Sequence, residues 1–279
     1  MGIDIDLLGP PTVVKQMTLD EITAGMTAIA ELPALSPADP AYRSILAGGY
    51  RELMLRQDAD DQCRGVMLAT AVGVDLDCIG ETYYRHPDGS PALRLAGESD
   101  RDYRYRLQDS PEGLSVAGPV GAYEFNARSA HPNIKQAKAT SPAPVEVVIR
   151  VLGRAGDGTV PPYQCELVDG YLWTRRPFTD AVTVLPVEIV PYRVRAKLWL
   201  HKTHDPDRVV ELARSQAQAL VDLKHAIKGR LTGRAVCAVL MPPGVDDVAL
   251  EGWQDVVCDE TQAPYCTELV VEFAGWADE

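Results

Sequence analysis

The sequence predicts an α+β protein, with a helical N-terminal region followed by mixed α/β domains whose sheets are largely antiparallel. Apolar residues recur at helical spacing through the first third of the chain. Beyond Pro132 they recur at every second residue, which is typical of strands with one buried face. The last third follows the order strand, helix, helix, strand, strand, and this order indicates a small α+β domain.

The length and composition set the number of domains. The 279 residues and the hydrophobic content of 46% allow one large domain or two to three small ones. The periodicity divides the chain into an N-terminal arm and helical region at residues 1–90, a central α+β domain at 91–190 and a C-terminal α+β domain at 191–279. The N-terminus lacks the features of a signal peptide, and no stretch approaches the roughly 20 apolar residues that span a bilayer. These features predict a soluble protein.

The N-terminal region begins with an extended arm and continues with three predicted helices. Thr18 and Glu21 form a capping box that begins a short helix, and Pro33 ends it. Asp39 then caps one long helix, with at most one interruption, because a proline follows it at the first helical position. Asp75 caps a further short helix in the segment LDCIGETYY.

The long helix carries an apolar face that no other predicted element covers. Its helical spacing continues from Tyr42 to Thr70, and Gly48–Gly49 marks either a weak point or a site of close packing. A long amphipathic helix with few neighbours often buries its apolar face against another chain. We therefore predict a partner interface on this helix. Its residues are Ile45, Tyr50, Leu53, Met54 and Met67.

The segment between the helical region and the first strand contains acids, bases, three tyrosines, a histidine and a serine between glycines, as an active site does. Its helix signals favour a simpler interpretation. Ser99 with Asp102 predicts the start of a helix, and Pro111 predicts its end. Gly118–Pro119 then predicts the start of a second helix, which Pro132 ends. The segment therefore predicts two helices joined by a turn.

Strands dominate the remainder of the chain. They are predicted in the segments IKQAKAT, PVEVVIRVL, DAVTV and VEIVPYRVRAKLWLH, with a short helix in PPYQCELVDGYLW. In the last of these strands Arg193, Arg195 and Lys197 share one face, opposite an apolar face. Asp205–Pro206 begins the next helix, and a shorter one follows in RAVCAVLM. The strands VDDVALEG and TELVVEFAG complete the predicted sheet.

The charge of the chain limits the class of partner. A net charge of −13 argues against a main role in binding nucleic acid, because phosphate neutralisation dominates that affinity. Residues 191–234 nevertheless carry a net charge of +6, against −19 for the rest of the chain. Two interpretations stay open: these basic residues are solvated, or they contact acidic surfaces of other subunits. Under the second interpretation, Arg193, Arg195 and Lys197 belong to a partner interface.

The sequence contains no group that combines a nucleophile, a base and an orienting residue. Ser115 lies in GLSVAG, whose second glycine comes one residue too late for a nucleophile elbow, and no strand precedes it. GRAGDG is better explained as a turn than as a phosphate-binding loop, because two prolines separate it from the next helix. His201, His204 and the neighbouring acids allow a metal site, but Asp205 has a simpler role as a helix cap. We predict no catalytic, cofactor or metal site.

The six cysteines occupy positions 63, 78, 165, 237, 258 and 266 and form no CxxC or CxC pattern. Their spacing is wrong for a zinc site and too sparse for a disulfide scaffold. Reduced structural thiols are the favoured interpretation, and a cross-link between subunits after release from the cell is the alternative.

One composite motif resembles a known family. The motif PEGxSxAGPVGAYEF, followed by SPAPVEV, resembles the baseplate J-like protein family of contractile-tailed phages. The segments RPFTDAVTVLPVEIVPYRVRAKLWLH, PPGVDDVALEG and ETQAPYCTELVVEFAG are similar to it too, as is the stretch from Asp39 to Gly80. The segment PPYQCELVDGYLWTRR departs from the helix rich in Ala and Leu that the family leads us to expect. The signature positions are Pro111, Glu112, Gly113, Gly118, Pro119 and Gly121.

The resemblance implies a structural wedge protein of a tail baseplate, located in the virion and assembled in the host cytoplasm, with no enzymatic activity and no cofactor. It also implies partners: paired copies of the chain in each wedge form a ring around the central spike, and the N-terminal region bundles with other wedge proteins. Contact with the sheath and spike is indirect, and neither nucleic acid nor membrane insertion is expected. We then expect rearrangement of the ring to trigger sheath contraction. The alternatives are a wedge component of a phage-derived bacteriocin or injection particle and, more remotely, a tail-associated hydrolase or a receptor-binding module.

Overall fold

The structure is a computed structural model that describes residues 5, 8–9, 11–32, 36–86, 88–115, 118–202 and 205–277. The chain divides into two compact units, the first formed by residues 1–94 with 99–108 and the second by residues 95–98 with 109–279. The predicted end of the first helix at Pro33 lies outside the described residues. No helix in the described part of the chain is both long and apolar enough to cross a membrane.

The first unit is helical, as predicted. It contains α1 (Leu19–Ile29), α2 (Pro40–Gly65), α3 (Gly73–Tyr83) and most of α4 (Asp100–Gly113). The capping box of α1 is present: the amide of Glu21 donates to Thr18 Oγ1 at 3.2 Å, and the amide of Thr18 donates to Glu21 Oε2 at 2.8 Å. Asp39 caps α2 by accepting a hydrogen bond from the amide of Ala41 at 2.8 Å. Local hydrogen bonds therefore begin both helices where the sequence indicated.

The glycine pair in α2 is a site of close packing. Gly49 is buried against α1, and a Cβ built on it would lie 2.7 Å from Thr23 Cγ2. A Cβ on Gly48 would lie 3.7 Å from Met26 Sδ, which is ordinary contact. The absence of a side chain at Gly49 therefore lets the two helices approach closely, and the alternative of a weak point in the helix is not needed.

Two helix boundaries in the first unit differ from the prediction. α2 ends at Gly65, so Met67 and Thr70 lie in turns rather than on a continuing helix. The hydroxyl of Thr70 donates to the carbonyl oxygen of Arg64 at 2.7 Å, which satisfies an acceptor at the helix end. Asp75 is not a cap, because α3 already begins at Gly73, whose amide donates to Asp100 Oδ2 at 2.9 Å.

α4 begins as predicted and ends later. The Ser99 hydroxyl oxygen accepts a hydrogen bond from the amide of Asp102 at 3.1 Å. The predicted end at Pro111 is wrong, because the helix includes this proline and continues to Gly113. Pro111 lies in the last turn, where its missing N–H removes a single helical hydrogen bond. Close packing of Gly113 against Phe125 holds this turn.

The second unit contains the remaining elements. In chain order they are α5 (Val120–Ala130), β1 (Ile134–Thr140), β2 (Glu146–Gly153), α6 (Pro162–Trp173), β3 (Ala181–Pro186), β4 (Glu188–Leu200), α7 (Pro206–Lys224), β5 (Arg230–Leu231), α8 (Gly233–Val239), β6 (Val245–Leu250), β7 (Val256–Val257) and β8 (Gln262–Trp276). The α+β fold class is confirmed, since helices and sheets of mixed type follow the helical region.

The strands of the second unit form sheets with the orders β1-β2-β3, β6-β4-β8 and β5-β7. The expectation of largely antiparallel sheets underestimates the parallel pairing: β2 pairs with β3, and β4 with β8, in parallel. A parallel pair requires a long crossover connection, and the segments that contain α6 and α7 supply it. Periodicity reveals a strand but not the direction of its neighbour, so this feature was not predictable from the pattern.

Each large sheet has a helix-covered apolar face. α5 and α6 cover the first sheet, where Tyr123, Ile149 and Val168 belong to one core. α7 and α8 contribute to a second core with β4, whose residues Tyr192, Val194, Ala196, Leu198 and Leu200 are all buried. The alternation predicted for β4 is therefore confirmed, and it leaves the basic residues of this strand on the opposite face.

Candidate assembly surfaces

The exposed face of α2 is the first candidate surface. Tyr50 and Met54 are 57% and 39% exposed, and Leu46 and Leu55 are exposed beside them. Residues 47, 50, 51, 54, 55 and 58 line a groove of about 340 Å³. Because residues four apart share one face of a helix, Leu46, Tyr50 and Met54 form a continuous apolar row. We call this row, with Leu55, the α2 face.

The other residues predicted for this interface lie elsewhere. Ile45 and Leu53 are half-buried, and each lies four residues from Gly49, on the side of α2 that packs against α1. Met67 is exposed but follows the end of the helix. Of the residues predicted for the interface, Tyr50 and Met54 thus lie together on the α2 face, which also contains Leu46 and Leu55. The spacing of Leu46 was visible in the sequence, whereas the packing of α1 on the side of α2 that carries Ile45 and Leu53 was not.

The basic row of β4 is the second candidate surface. Arg193, Arg195 and Lys197 are 69%, 48% and 44% exposed at their side chains. Arg195 Nη2 lies 2.8 Å from Glu268 Oε2, and Lys197 Nζ lies 2.6 Å from Glu251 Oε1. The hydrogen bond from Lys197 lowers the pKa of Glu251 and in return raises the pKa of Lys197. The chain's own carboxylates therefore neutralise much of this row.

Arg193 is the exception within the basic row. Its Nε atom is 3.8 Å from Glu268 Oε2, too far for a hydrogen bond, and Glu268 already accepts two bonds from Arg195 Nη2 at 3.0 and 2.8 Å. Of the three cations, Arg193 is the one most available to an acidic partner. Glu251 and Glu268 are distant in sequence, so no local pattern showed that they flank the row.

Close contacts surround the glycines among the predicted signature positions. A Cβ on Gly113 would lie 2.1 Å from Phe125 Cδ1, and one on Gly121 would lie 2.9 Å from the Cβ of Glu112. Gly118 has a φ of +75°, and a Cβ on it would lie 2.7 Å from Pro177 Cγ. A left-handed φ of this size favours glycine over residues that carry a side chain. These glycines let the ends of α4 and α5 approach each other and the loop before β3.

Polar contacts hold α5 in the same region. The hydroxyl of Tyr123 donates to Asp180 Oδ2 at 2.6 Å, and Arg128 Nη1 lies 2.6 Å from Asp109 Oδ2. Burial raises the pKa of the Tyr123 hydroxyl, and the Asp180 carboxylate raises it further. The charges of the segment thus take part in packing between α4, α5 and the loop before β3. Sequence spacing does not predict these pairs, which join residues far apart in the chain.

The candidates for chemistry have local structural explanations. The amide of Ser115 donates to the carbonyl oxygen of Glu112 at 3.2 Å, just after α4. The amide of Gly153 donates to the carbonyl oxygen of Gly158 at 2.7 Å, which closes the predicted turn. Asp205 caps α7 through the amide of Asp207 at 3.2 Å, while His204 lies outside the described residues. Within the described ranges no three His, Cys, Asp or Glu side chains are grouped as metal ligands.

All six cysteines are free thiols in the structure. Cys165 and Cys258 are buried, and burial raises the pKa of each thiol. Cys78 is exposed in the first unit. A cross-link between subunits would therefore need an accessible thiol such as Cys78 rather than the buried pair.

Comparison with known proteins adds a family relationship. A family model described as the baseplate J-like N-terminal domain matches residues 38–85. Baseplate protein J of Escherichia phage P2 is 34% identical over an alignment of 298 residues, which covers 98% of each chain. A chain in the cryo-electron microscopy structure of the anti-feeding prophage baseplate, 6-fold symmetrised, aligns with a TM-score of 0.40 and 12% identity. That alignment covers 61% of this chain and only 42% of the other chain.

Proposed function

Because the chain belongs to the baseplate J-like protein family, we propose that it is a structural component of a contractile-tail baseplate. The observation that carries the proposal is the 34% identity to baseplate protein J of Escherichia phage P2 along 98% of both chains. A relationship of this extent involves both structural units rather than one shared module. On this proposal the protein resides in the tail of the virion and has no catalytic role.

We propose a wedge role in finer detail. Residues 1–90 bundle with other wedge proteins, and the α2 face supports this, because a row of exposed apolar side chains on a long helix suits burial against a partner helix. Residues 91–190 and 191–279 form the central and C-terminal regions, and the C-terminal region joins copies of the chain into a ring. The exposed guanidinium of Arg193 supports a contact with an acidic surface there.

The mechanism we propose is mechanical. The ring holds the baseplate closed until a receptor signal arrives, and its interfaces then shift to a second packing that releases sheath contraction. Assembly takes place in the cytoplasm of the host cell. Paired copies in each wedge follow from the family resemblance, and an isologous contact between them would bury the same patch on both copies.

The role in the particle is tested by locating the protein. We expect mass spectrometry of purified tails to detect the chain, and electron microscopy of particles with a tagged chain to place the tag at the baseplate. If purified tails lack the chain, the proposal fails. Density for the tag along the sheath, or at the head, would contradict it as well.

The α2 face is tested by a matched pair of variants in the full chain. Tyr50→Lys places a charge in the apolar row, and we expect the variant to remain folded but to stop wedge assembly, because a buried unpaired charge is strongly unfavourable. Ala59→Lys adds the same charge at an exposed position half a turn around α2, and we expect normal assembly. Co-purification with the other wedge proteins is the measurement. Equal assembly of both variants would remove the α2 face from the scheme.

A further inference from the structure

The sheet β1-β2-β3 has an open edge at β3. The amides of Ala181 and Val187 donate to the carbonyl oxygens of Val145 and Val151 at 2.8 and 3.1 Å, so these positions face β2. Alternate residues of a strand direct their backbone groups to opposite sides. The amide and carbonyl groups of Val182 and Val184 therefore point away from β2, and no strand in the described part of the chain pairs with them.

The opposite edge of the same sheet, at β1, is partly covered. Glu124 Oε1 accepts hydrogen bonds from the amide of Ala139 at 3.3 Å and from Lys138 Nζ at 2.8 Å. Gln136 Oε1 accepts a bond from the amide of Ile227 at 2.7 Å, so the loop after α7 contacts β1 as well. Native sheets usually cover or block an edge that has no partner. The chain covers part of β1 in this way and leaves β3 accessible.

A groove runs beside this open edge. It has a volume of about 410 Å³ and lies between α6 and β3. Its apolar lining comes from Pro162, Cys165, Val182, Val184, Leu185 and Pro186. Glu166 and Asp169 line it from α6, and neither carboxylate has an ion-pair partner among the residues that the structure describes. The groove thus combines backbone donors and acceptors, an apolar surface and uncompensated negative charge.

From these observations we propose that the groove binds an extended basic segment of another polypeptide chain, which adds a strand to β3. Backbone hydrogen bonds to Val182 and Val184 hold the segment, and its Lys or Arg side chains lie beside Glu166 and Asp169. This interaction goes beyond the proposed baseplate role and does not depend on it.

The geometry also limits the length of the bound segment. The amide of Asp180 already donates to the carbonyl oxygen of Pro177 at 3.2 Å, before β3 begins. Pro186 has no amide hydrogen, and its carbonyl oxygen accepts a bond from Arg150 Nη1 at 3.0 Å, at the end of β3. The usable edge lies between these two points. A segment of roughly four to six residues, the length of a short strand, fills it.

The proposal is tested with the purified full chain and a fluorescent peptide in which Lys and Val alternate over six residues. We expect saturable binding by fluorescence anisotropy and slower amide hydrogen exchange in residues 181–187. Two further peptides carry N-methyl groups on alternate backbone nitrogens, one on the odd and one on the even positions. Only one of these two sets of amides faces β3, so one of the two peptides should bind at least tenfold more weakly than the unmethylated peptide. A peptide with Glu in place of Lys should not bind. Equal binding of all these peptides would overturn the proposal.

A charge-reversal variant provides the second test. The double variant Glu166→Lys with Asp169→Lys should lose at least tenfold in affinity for the basic peptide, since it replaces attraction by repulsion. Asp61→Lys with Glu211→Lys changes the net charge equally at exposed positions outside the groove and should bind as the unaltered chain does. Equal losses in the two double variants would show a non-specific effect of net charge and would refute the groove as the site.

Discussion

Phe125 fills the space that a side chain on Gly113 would require: its Cδ1 atom lies 2.1 Å from the position of a Cβ built on that glycine. Phe125 is fully buried in α5, and Gly113 is the last residue of α4. The contact explains why α4 continues past Pro111, because the final turn is held by packing against α5. It also makes Gly113, one of the predicted signature positions, a requirement of the fold.

The first prediction concerns this contact. Gly113→Ala should lower the free energy of unfolding by about 1–3 kcal/mol, because the added methyl group overpacks a buried site. Gly170→Ala is the matched control, since Gly170 lies within α6 and a Cβ there meets no atom within 4 Å. We expect the control to raise the free energy of unfolding by about 0.5–1 kcal/mol, because alanine restricts the unfolded chain more than glycine does and has the better helix propensity. Urea unfolding followed by tryptophan fluorescence measures both. Equal stability of the two variants would contradict the close contact.

The second prediction concerns Tyr123 and Asp180. Tyr123→Phe should destabilise the protein by about 1–3 kcal/mol near neutral pH, because it removes a hydrogen bond to a carboxylate from a buried hydroxyl. Tyr83→Phe should have little effect, since Tyr83 is 76% exposed.

The pH dependence of the same variant follows from the raised pKa of Tyr123. An unfolded tyrosine titrates near pH 10.0, and the folded group titrates higher, so the folded state holds the proton more tightly in that range. The stability that this group contributes is present below pH 10.0 and is lost as the pH rises through the folded pKa. The difference in unfolding free energy between the unaltered chain and Tyr123→Phe should therefore narrow above pH 10. A constant difference would refute the role of the hydroxyl.

The third prediction concerns the ion pair between Arg195 and Glu268. Arg195→Ala should lower the free energy of unfolding by less than about 1 kcal/mol, because half-exposed pairs are screened by solvent. Arg195→Glu should lower the free energy of unfolding further, since it places like charges next to each other on adjacent strands. Added salt should reduce the difference between these two variants. Urea unfolding at low and high salt is the measurement, and a salt-independent loss would indicate a packing effect instead.

The fourth prediction concerns the thiols. Cys78 should react with iodoacetamide in the native protein, whereas Cys165 and Cys258 should react only after unfolding. Burial both blocks access to the two thiols and raises the pKa of each, so little thiolate forms at neutral pH. Mass spectrometry of the alkylated peptides measures the order of reaction. Labelling of all three cysteines at similar rates in the folded chain would contradict the burial seen here.

Features governed by neighbours in sequence were predictable. Thr18, Asp39 and Asp205 begin α1, α2 and α7 as expected, because each caps its helix through an amide two or three residues away. The alternation in β4 was predictable for the same reason, since successive side chains of a strand point to opposite faces. The composite motif around Gly113 and Gly118 was enough to indicate the family.

Features that depend on distant residues were decided by the tertiary structure. The end of α2, the passage of α4 through Pro111 and the parallel pairing of β4 with β8 all depend on partners far along the chain. The composition of the candidate surfaces also depends on distant residues. The side of α2 that carries Gly49 packs against α1, and Glu268 forms an ion pair with Arg195. The sequence by itself determined which segments form helices and strands and to which family the chain belongs. Local hydrogen bonding and periodicity govern the segments, and the composite motif indicates the family. Only the tertiary structure decided which apolar and charged side chains remain available to partners. A side chain is available only where packing against residues distant in the sequence leaves it exposed.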